Sequence, residues 1–405
     1  MAKEEKKAPK LRFNGYTNDW EHVKSRYLFK NISSKGFQNL PVLSVTQDKG
    51  VIYRDSLDID IKYDSSTLKN YKLVQPGDFI ISLRSFQGGF ETSYLTGITS
   101  PAYTIFNFID NQSQNHMFWQ YLFKRKNFIN SLKKVTFGIR DGKAISFSQF
   151  GDVKVEYPDF DEQKHIAITL NKIDDTIQLH ERKCEELTLI KKSLLQKLFP
   201  KEDKIKPEIR YKNFSDAWEQ RKLGEVATFS KGTGYSKQDL ENDGTPIILY
   251  GRMYTNYELV IHSVNTFTTA KEKSIYSNGG EVIVPASGET AEDISVASVV
   301  EQANVLLGGD LNIIHTNKNV EPVFLALSIT NGEPHKDMAK RAQGKSVVHL
   351  HNSDLAQIKL SYPSKDEQKK IDSYFLKFDS LIALHQRKLE KLKQLKKFLL
   401  QNMFI

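Results

Sequence analysis

The chain has 405 residues, enough for two or more domains, and its 39% hydrophobic and 26% charged residues are the balance of a globular protein with real cores. Lys and Arg number 58 against 49 Asp and Glu, a net charge of +9 that favours a polyanionic partner. A single cysteine, Cys184, excludes an internal disulfide framework and any multi-cysteine metal site, and no apolar run is long enough to span a bilayer.

Residues 1–10 are Lys-rich and lack the apolar stretch of a signal peptide, so a disordered arm and a cytoplasmic location are expected. The next segment, Leu11–Glu21 (LRFNGYTNDWE), returns as Ile209–Glu219 (IRYKNFSDAWE). Arg12 matches Arg210, Phe13 and Tyr16 match Tyr211 and Phe214, and Trp20 matches Trp218. Leu40–Arg54 alternates apolar and polar residues and breaks at Asp48-Lys49-Gly50, a hairpin signal. Pro76–Leu83 reads as a turn and a buried strand, with Gly279–Ala286 as its counterpart. Each half closes alike, in Gly138–Pro158 and in Gln343–Pro363. A basic, glycine-containing loop leads to a short segment and then to an alternating strand, Val153, Val155 and Tyr157 or Ile358, Leu360 and Tyr362. Between these landmarks the halves do not align. They share a frame and differ in content.

The strongest repeat follows. Asp161–Pro200 and Asp366–Ile405 align without a gap and are identical at 20 of 40 positions. Each carries an apolar seam with steps of four and three: Ile166, Leu170, Ile173, Ile177, His180, Cys184, Leu187, Lys191, Leu194, Leu198 in the first. The second runs Ile371, Phe375, Phe378, Ile382, His385, Leu389, Leu392, Lys396, Leu399, Met403, with His and Lys interrupting at the same places. Such a stripe is a coiled-coil face, and the duplicate in the same chain is its nearest partner. The contact set expected to join the helices is Ile173, Ile177, His180 and Leu187 with Phe378, Ile382, His385 and Leu392. Asp159 with Glu162, and Ser364 with Glu367, have the spacing of reciprocal capping boxes. Capping also accounts for Pro158-Asp159 and Glu162-Gln163-Lys164 better than a nuclease site, because those carboxylates share one helical turn.

The repeats divide the chain into a domain at 1–158, a helix at 159–200, a linker and second domain at 201–363, and a helix at 364–405. The second domain joins the end of one helix to the start of the other, so the helices are expected to run antiparallel. The fold class read from this is α+β: two similar mixed α/β domains at opposite ends of a long two-helix coiled coil, with pseudo-twofold symmetry. Helices of about 35 residues span roughly 50 Å at about 1.5 Å per residue.

Catalytic patterns are absent. Gly344-Lys345-Ser346 fails the phosphate-binding loop because Ala339 stands where glycine is required, and there is no Rossmann fingerprint or HExxH. His349 and His351 alternate along an expected strand, a spacing that suits surface or cross-strand packing better than a ligand pair. What remains is a basic protein with two divergent domains held apart, a geometry suited to double-stranded DNA. Phosphate contacts supply affinity there, and groove contacts by Arg, Lys, Asn and Gln supply sequence. The loops presented by the frame nominate Arg84, Ser85, Gln87, Arg140 and Lys143 in the first half. In the second they nominate Tyr250, Arg252, Ser287, Arg341 and Lys345.

These residues resemble a known family, the specificity subunits of type I restriction-modification systems. The LRFxx[FY]xxxW opening, the Pro-x-x-x-Glu-Gln-x-x-Ile helix entry (Pro158, Glu162, Gln163, Ile166; Pro363, Glu367, Gln368, Ile371) and the duplicated long helix carry the resemblance over essentially the whole chain. It implies two target recognition domains, each reading half of a bipartite DNA site, with the helices measuring the unread spacer. It also implies a non-catalytic chain that binds no cofactor or metal and has no membrane partner. S-adenosylmethionine would sit on two modification subunits, and ATP with Mg on two restriction subunits. Two other classes fit the bare features: a self-contained bipartite DNA-binding regulator, which would shift DNA unaided, and a protein scaffold, whose affinity would ignore salt and sequence.

Overall fold

The computed structural model describes residues 8–57, 65–135, 145–201, 204–344 and 347–405. Two compact units divide the chain: residues through His180 together with Arg387–Ile405, and Glu181–Gln386. The boundary falls inside both long helices, Phe160–Leu198 and Lys365–Asn402, rather than at their ends.

In the first unit the strand Glu21–Lys24 pairs antiparallel with Lys154–Tyr157, setting Glu21 opposite Tyr157. The Tyr157 hydroxyl donates to the Glu21 carboxylate at 2.6 Å. This clasp closes the domain just before the long helix begins. The main sheet is antiparallel, in the order Phe29–Ile32, Thr104–Phe108, Phe79–Ile81, Glu91–Thr92. Phe79–Ile81 is the buried strand expected in Pro76–Leu83. The expected hairpin also forms, Leu43–Thr46 against Gly50–Tyr53, with Gly50 at a φ of 67° in its turn. Two helices, His116–Lys124 and Lys126–Val135, follow the sheet. Phe29, Phe79, Phe90, Phe106, Phe123 and Phe150 fill the core, Phe79 and Phe106 stacked and the other contacts edge-on or tilted.

The second unit repeats the frame with other contents. Glu219–Lys222 pairs with Lys359–Tyr362, again setting Glu opposite Tyr. Its main sheet has five strands, in the order Ala227–Lys231, Leu311–Thr316, Glu281–Pro285, Ser298–Val300, Val260–Ile261, the last neighbours parallel. The buried strand expected in Gly279–Ala286 is Glu281–Pro285, and the helix pair is Pro322–Asn331 and Glu333–Arg341. Here the core is aliphatic, built on Val282, Val284, Ile314, Leu325 and Ile329.

Each unit also takes in the end of one long helix. Phe404 stacks on Phe118 at 5.2 Å and meets Trp20 edge-on in the first unit. Phe199 meets Phe324 at 5.8 Å and Trp218 edge-on in the second. The tryptophan of each opening motif is therefore a core residue, 3% exposed in both copies.

The repeated pattern at each helix entry is structural. Glu162 is fully buried and accepts two hydrogen bonds from Arg12, both 2.7 Å. Glu367 accepts the same pair from Arg210, at 2.8 and 2.7 Å. Gln163 bonds the Asn115 amide and the Pro158 carbonyl, and Gln368 bonds the Glu321 amide and the Pro363 carbonyl. One expectation needs correction here. Asp159 does cap the Glu162 amide at 2.9 Å, but the glutamate side chains turn to arginine instead of back to the cap. A bidentate, charge-assisted pair outweighs a single local bond.

Every seam position is buried or half-buried. In the first unit Lys396 reaches Asp174 at 2.6 Å while Met403 shares a core cluster with Ile166, and in the second Lys191 bonds Asp379 while Leu198 shares one with Ile371, so within each unit the helices run antiparallel. The two lysines that interrupt the apolar seam thus have carboxylate partners.

Asp372 departs from the repeat, standing where the first copy has Ala167. It is 8% exposed, with one carboxylate oxygen lacking a partner among the described residues. Burial, reinforced by the charge of Glu321, pushes its carboxyl up to about 8, against a bond from the Phe324 amide that lowers it. The folded protein therefore holds a proton that the unfolded chain releases near pH 3.8, and stability falls as pH rises through that window towards 8. Asp372→Asn is expected to remove this slope and to stabilise the second unit by about 3 kcal/mol near pH 7–8. Urea titrations at pH 4.5 and 7.5 check it. An unchanged pH slope in the variant would contradict the assignment.

Candidate nucleic-acid interface

In the first unit Ser82–Gly89 forms a single helical turn, Ser85–Gly88, rather than an open loop. The Ser82 amide donates to the Ser85 hydroxyl at 2.8 Å, and Ser85 is 1% exposed. The hydroxyl nominated as a DNA contact is used in building the turn. Arg84 and Gln87 are exposed on that turn. Gly89 follows at a φ of 82°, where an added Cβ would lie 2.0 Å from the Phe123 carbonyl oxygen. Only glycine lets the turn pass this close to the helix behind it. The Gln47 amide donates to the Arg84 carbonyl at 3.1 Å, which sets the hairpin tip beside the turn. Gln47 and Lys49 are exposed there. The sequence marked that tip only as a turn, though a Gln and a Lys on it were a usable signal.

In the second unit three nominated loops converge. Ser287–Gly288 pairs with Val348–His349, and the Tyr254 hydroxyl donates to the Ser287 carbonyl at 2.6 Å. Gln343 and His349 exchange backbone bonds of 3.1 and 2.8 Å, closing the loop between them. Tyr250 is exposed on the same cluster, its ring 6.1 Å from that of Tyr254. Ser287 is 6% exposed and sits inside the pairing, so it too is not presented. The Arg252 side chain is 12% exposed and bonds Glu258, the Ser263 carbonyl and Asn265. It holds its own loop together and has no reach outward. Arg341 is half-buried beside Asp337 at 3.0 Å, one helical turn earlier. Arg140, Lys143 and Lys345 lie outside the described residues. His349 is exposed on its strand, whereas His351 leads into the short helix Asn352–Ala356 with its amide on Asp354. Among the described residues no group of three or more His, Cys, Asp or Glu could hold a metal ion. Among them, too, no helix is long and apolar enough to cross a membrane.

Of the helix set, Ile173, Ile177 and His180 in the first unit and Leu187, Phe378, Ile382 and His385 in the second are half-buried along the seam, as is Leu392. The helices carry a second apolar stripe that the seam does not use. With Leu170 and Ile177 as heptad position a, Leu179, Leu395 and Phe398 of the first unit fall at positions c and g. So do Ile190, Leu381 and Leu384 of the second, and all six are exposed.

The type I restriction modification DNA specificity domain matches this chain twice, over residues 21–189 and 215–394. The type I restriction enzyme MjaVIII specificity subunit of Methanocaldococcus jannaschii is 22% identical over 259 residues, 61% of this chain and 60% of that protein. A putative type I restriction enzyme MjaX specificity subunit of the same organism is 25% identical, over 68% of this chain and 63% of that protein. The matches thus span about three-fifths of the length of these relatives. The fold is similar to that of a type I restriction-modification S subunit from M. genitalium, with a TM-score of 0.61 at 15% identity over 98% of this chain and 99% of that one. Two matched domains, which together span most of the chain and each include a clasp and a long-helix entry, place this chain in the type I restriction-modification DNA specificity family.

Proposed function

We propose that this chain is the DNA-recognition subunit of a type I restriction-modification complex, in which each unit reads one half of a bipartite site. The observation that carries the reading is a shared frame with divergent loops. Clasp, Arg–Glu pair and helix entry recur at matching positions, while the exposed turn at Arg84 and Gln87 and the cluster at Tyr250 have nothing in common. In this reading the paired helices set the spacer, and their exposed apolar flank docks two modification subunits. Two restriction subunits join the same complex. The chain itself performs no chemistry and holds no cofactor; S-adenosylmethionine serves the modification subunits and ATP with Mg the restriction subunits.

The test is a binding series with the assembled methyltransferase. Arg84→Ala with Gln87→Ala is expected to cost about 1–3 kcal/mol on the cognate duplex and to relax preference within one half-site only. Tyr250→Ala should affect the other half alone. Lys143→Ala and Lys345→Ala, read as phosphate clamps, should weaken all sequences alike and lower the salt slope by about one unit each. Unchanged preference in the Arg84/Gln87 double variant and in Tyr250→Ala would count against these loops as readers.

A further inference from the structure

Beside the junction of the first unit's two helices lies an open crevice of about 520 Å³. Six cations line it: Lys124, Arg125 and Lys126 at the junction, and Lys393, Lys396 and Lys397 on the second long helix. Asp174 is the one acid in its wall, and it is taken by Lys396 at 2.6 Å. Lys124 bonds Glu91, and Arg125 is fixed by a 2.8 Å bond to the Ile405 carbonyl and by the Phe404 ring at 4.8 Å. Lys126 and Lys397 are exposed and have no acid partner among the described residues.

The second unit supplies an internal control. Its helix junction has a smaller crevice, about 260 Å³, against Phe199 and Gly332. Thr330, Asn331 and Gly332 stand there where the first unit has Lys124, Arg125 and Lys126, and Thr188 stands for Lys393. Four of the six cations are thus missing at the second junction, where Lys191 and Lys192 keep the places of Lys396 and Lys397 and the crevice is lined by Lys201 and Lys336 beside Glu333. Like charges gathered in one crevice repel each other unless an anion answers them. The crevice also adjoins the exposed turn of the same unit: Gly89 presses on the Phe123 carbonyl, and the Glu91 that takes Lys124 follows directly.

We propose that this crevice binds backbone phosphates of duplex DNA beyond the base-reading turn, without regard to sequence, so that the two units contribute unequally to the grip on DNA. The proposal rests on the DNA-recognition reading above. Its test uses the assembled methyltransferase, with cognate and scrambled duplexes titrated between 50 and 200 mM salt, about the range over which phosphate contacts dominate.

Lys126→Gln with Lys397→Gln should weaken both duplexes equally, by about tenfold or more at the low-salt end, and lower the salt slope by about two. Lys192→Gln, at the repeat counterpart of Lys397, with Lys336→Gln, in the second unit's crevice, should leave the slope near that of wild type. Lys126→Arg with Lys397→Arg should keep the wild-type slope, which separates lost charge from a damaged fold. An unchanged slope in the first double variant overturns the proposal, as does an equal fall in both glutamine pairs. Loss of assembly with the modification subunits at an unchanged slope would assign the crevice to an acidic protein segment and overturn it as well. Failure of the recognition reading shows separately, as a wild-type complex that does not prefer the cognate duplex.

Discussion

Replacing Arg12 with alanine is expected to destabilise the first unit by about 3–5 kcal/mol, the cost of leaving a buried carboxylate without its cation. Glu162 has no exposed surface, and both of its oxygens are held by one guanidinium at 2.7 Å. The side chain cannot turn to water without opening the helix entry, where Gln163 also ties Asn115 and Pro158 to the same turn. Arg12→Met combined with Glu162→Leu should recover most of the loss, since an apolar pair of similar volume carries no desolvation penalty. Arg210→Ala should do to the second unit what Arg12→Ala does to the first, because Glu367 is equally enclosed. Tryptophan fluorescence separates the two. Trp20 and Trp119 report on the first unit and Trp218 on the second, so urea titrations of single-unit tryptophan variants assign each transition. A loss below about 1 kcal/mol would be the size of an exposed ion pair and would contradict the buried pair described here.

The seam was legible because a coiled-coil face is periodic, and periodicity is local information. Ile166 to Leu198 and Ile371 to Met403 are buried or half-buried at each expected step. The clasp strands were legible for the same reason, from Val155 and Tyr157 or Leu360 and Tyr362. The role of Glu162 was half legible. Its distance from Asp159 suggested a local cap, whereas its partner Arg12 lies 150 positions away and leaves no trace in spacing. Both residues stood out as landmarks of the repeat, but nothing in the sequence joined them.

Loop residues were the least legible. Ser85 and Ser287 occupy polar, glycine-flanked segments that look solvated, yet a turn and a strand pairing bury them. Arg252 looks like a reader until Glu258, Ser263 and Asn265 close around it. Side-chain direction in a loop depends on backbone dihedrals that distant contacts fix, as Gly89 against Phe123 shows. The basic crevice was hidden for a related reason, since its walls come from Gln120–Asn127 and Lys393–Gln401.

Exchange of one domain tests most directly whether each unit reads its own half-site. Residues 22–150 lie within the first clasp and its strand, so a relative's domain can replace them while Arg12, Glu162 and both long helices stay in place. The measurement is a map of methylated adenines in cells that supply the modification subunits together with either the parent or the exchanged chain. The account predicts a methylated motif in which one half-site changes to the relative's, while the other half-site and the spacer length stay the same. A motif altered in both halves, or altered in neither with methylation retained, would contradict it.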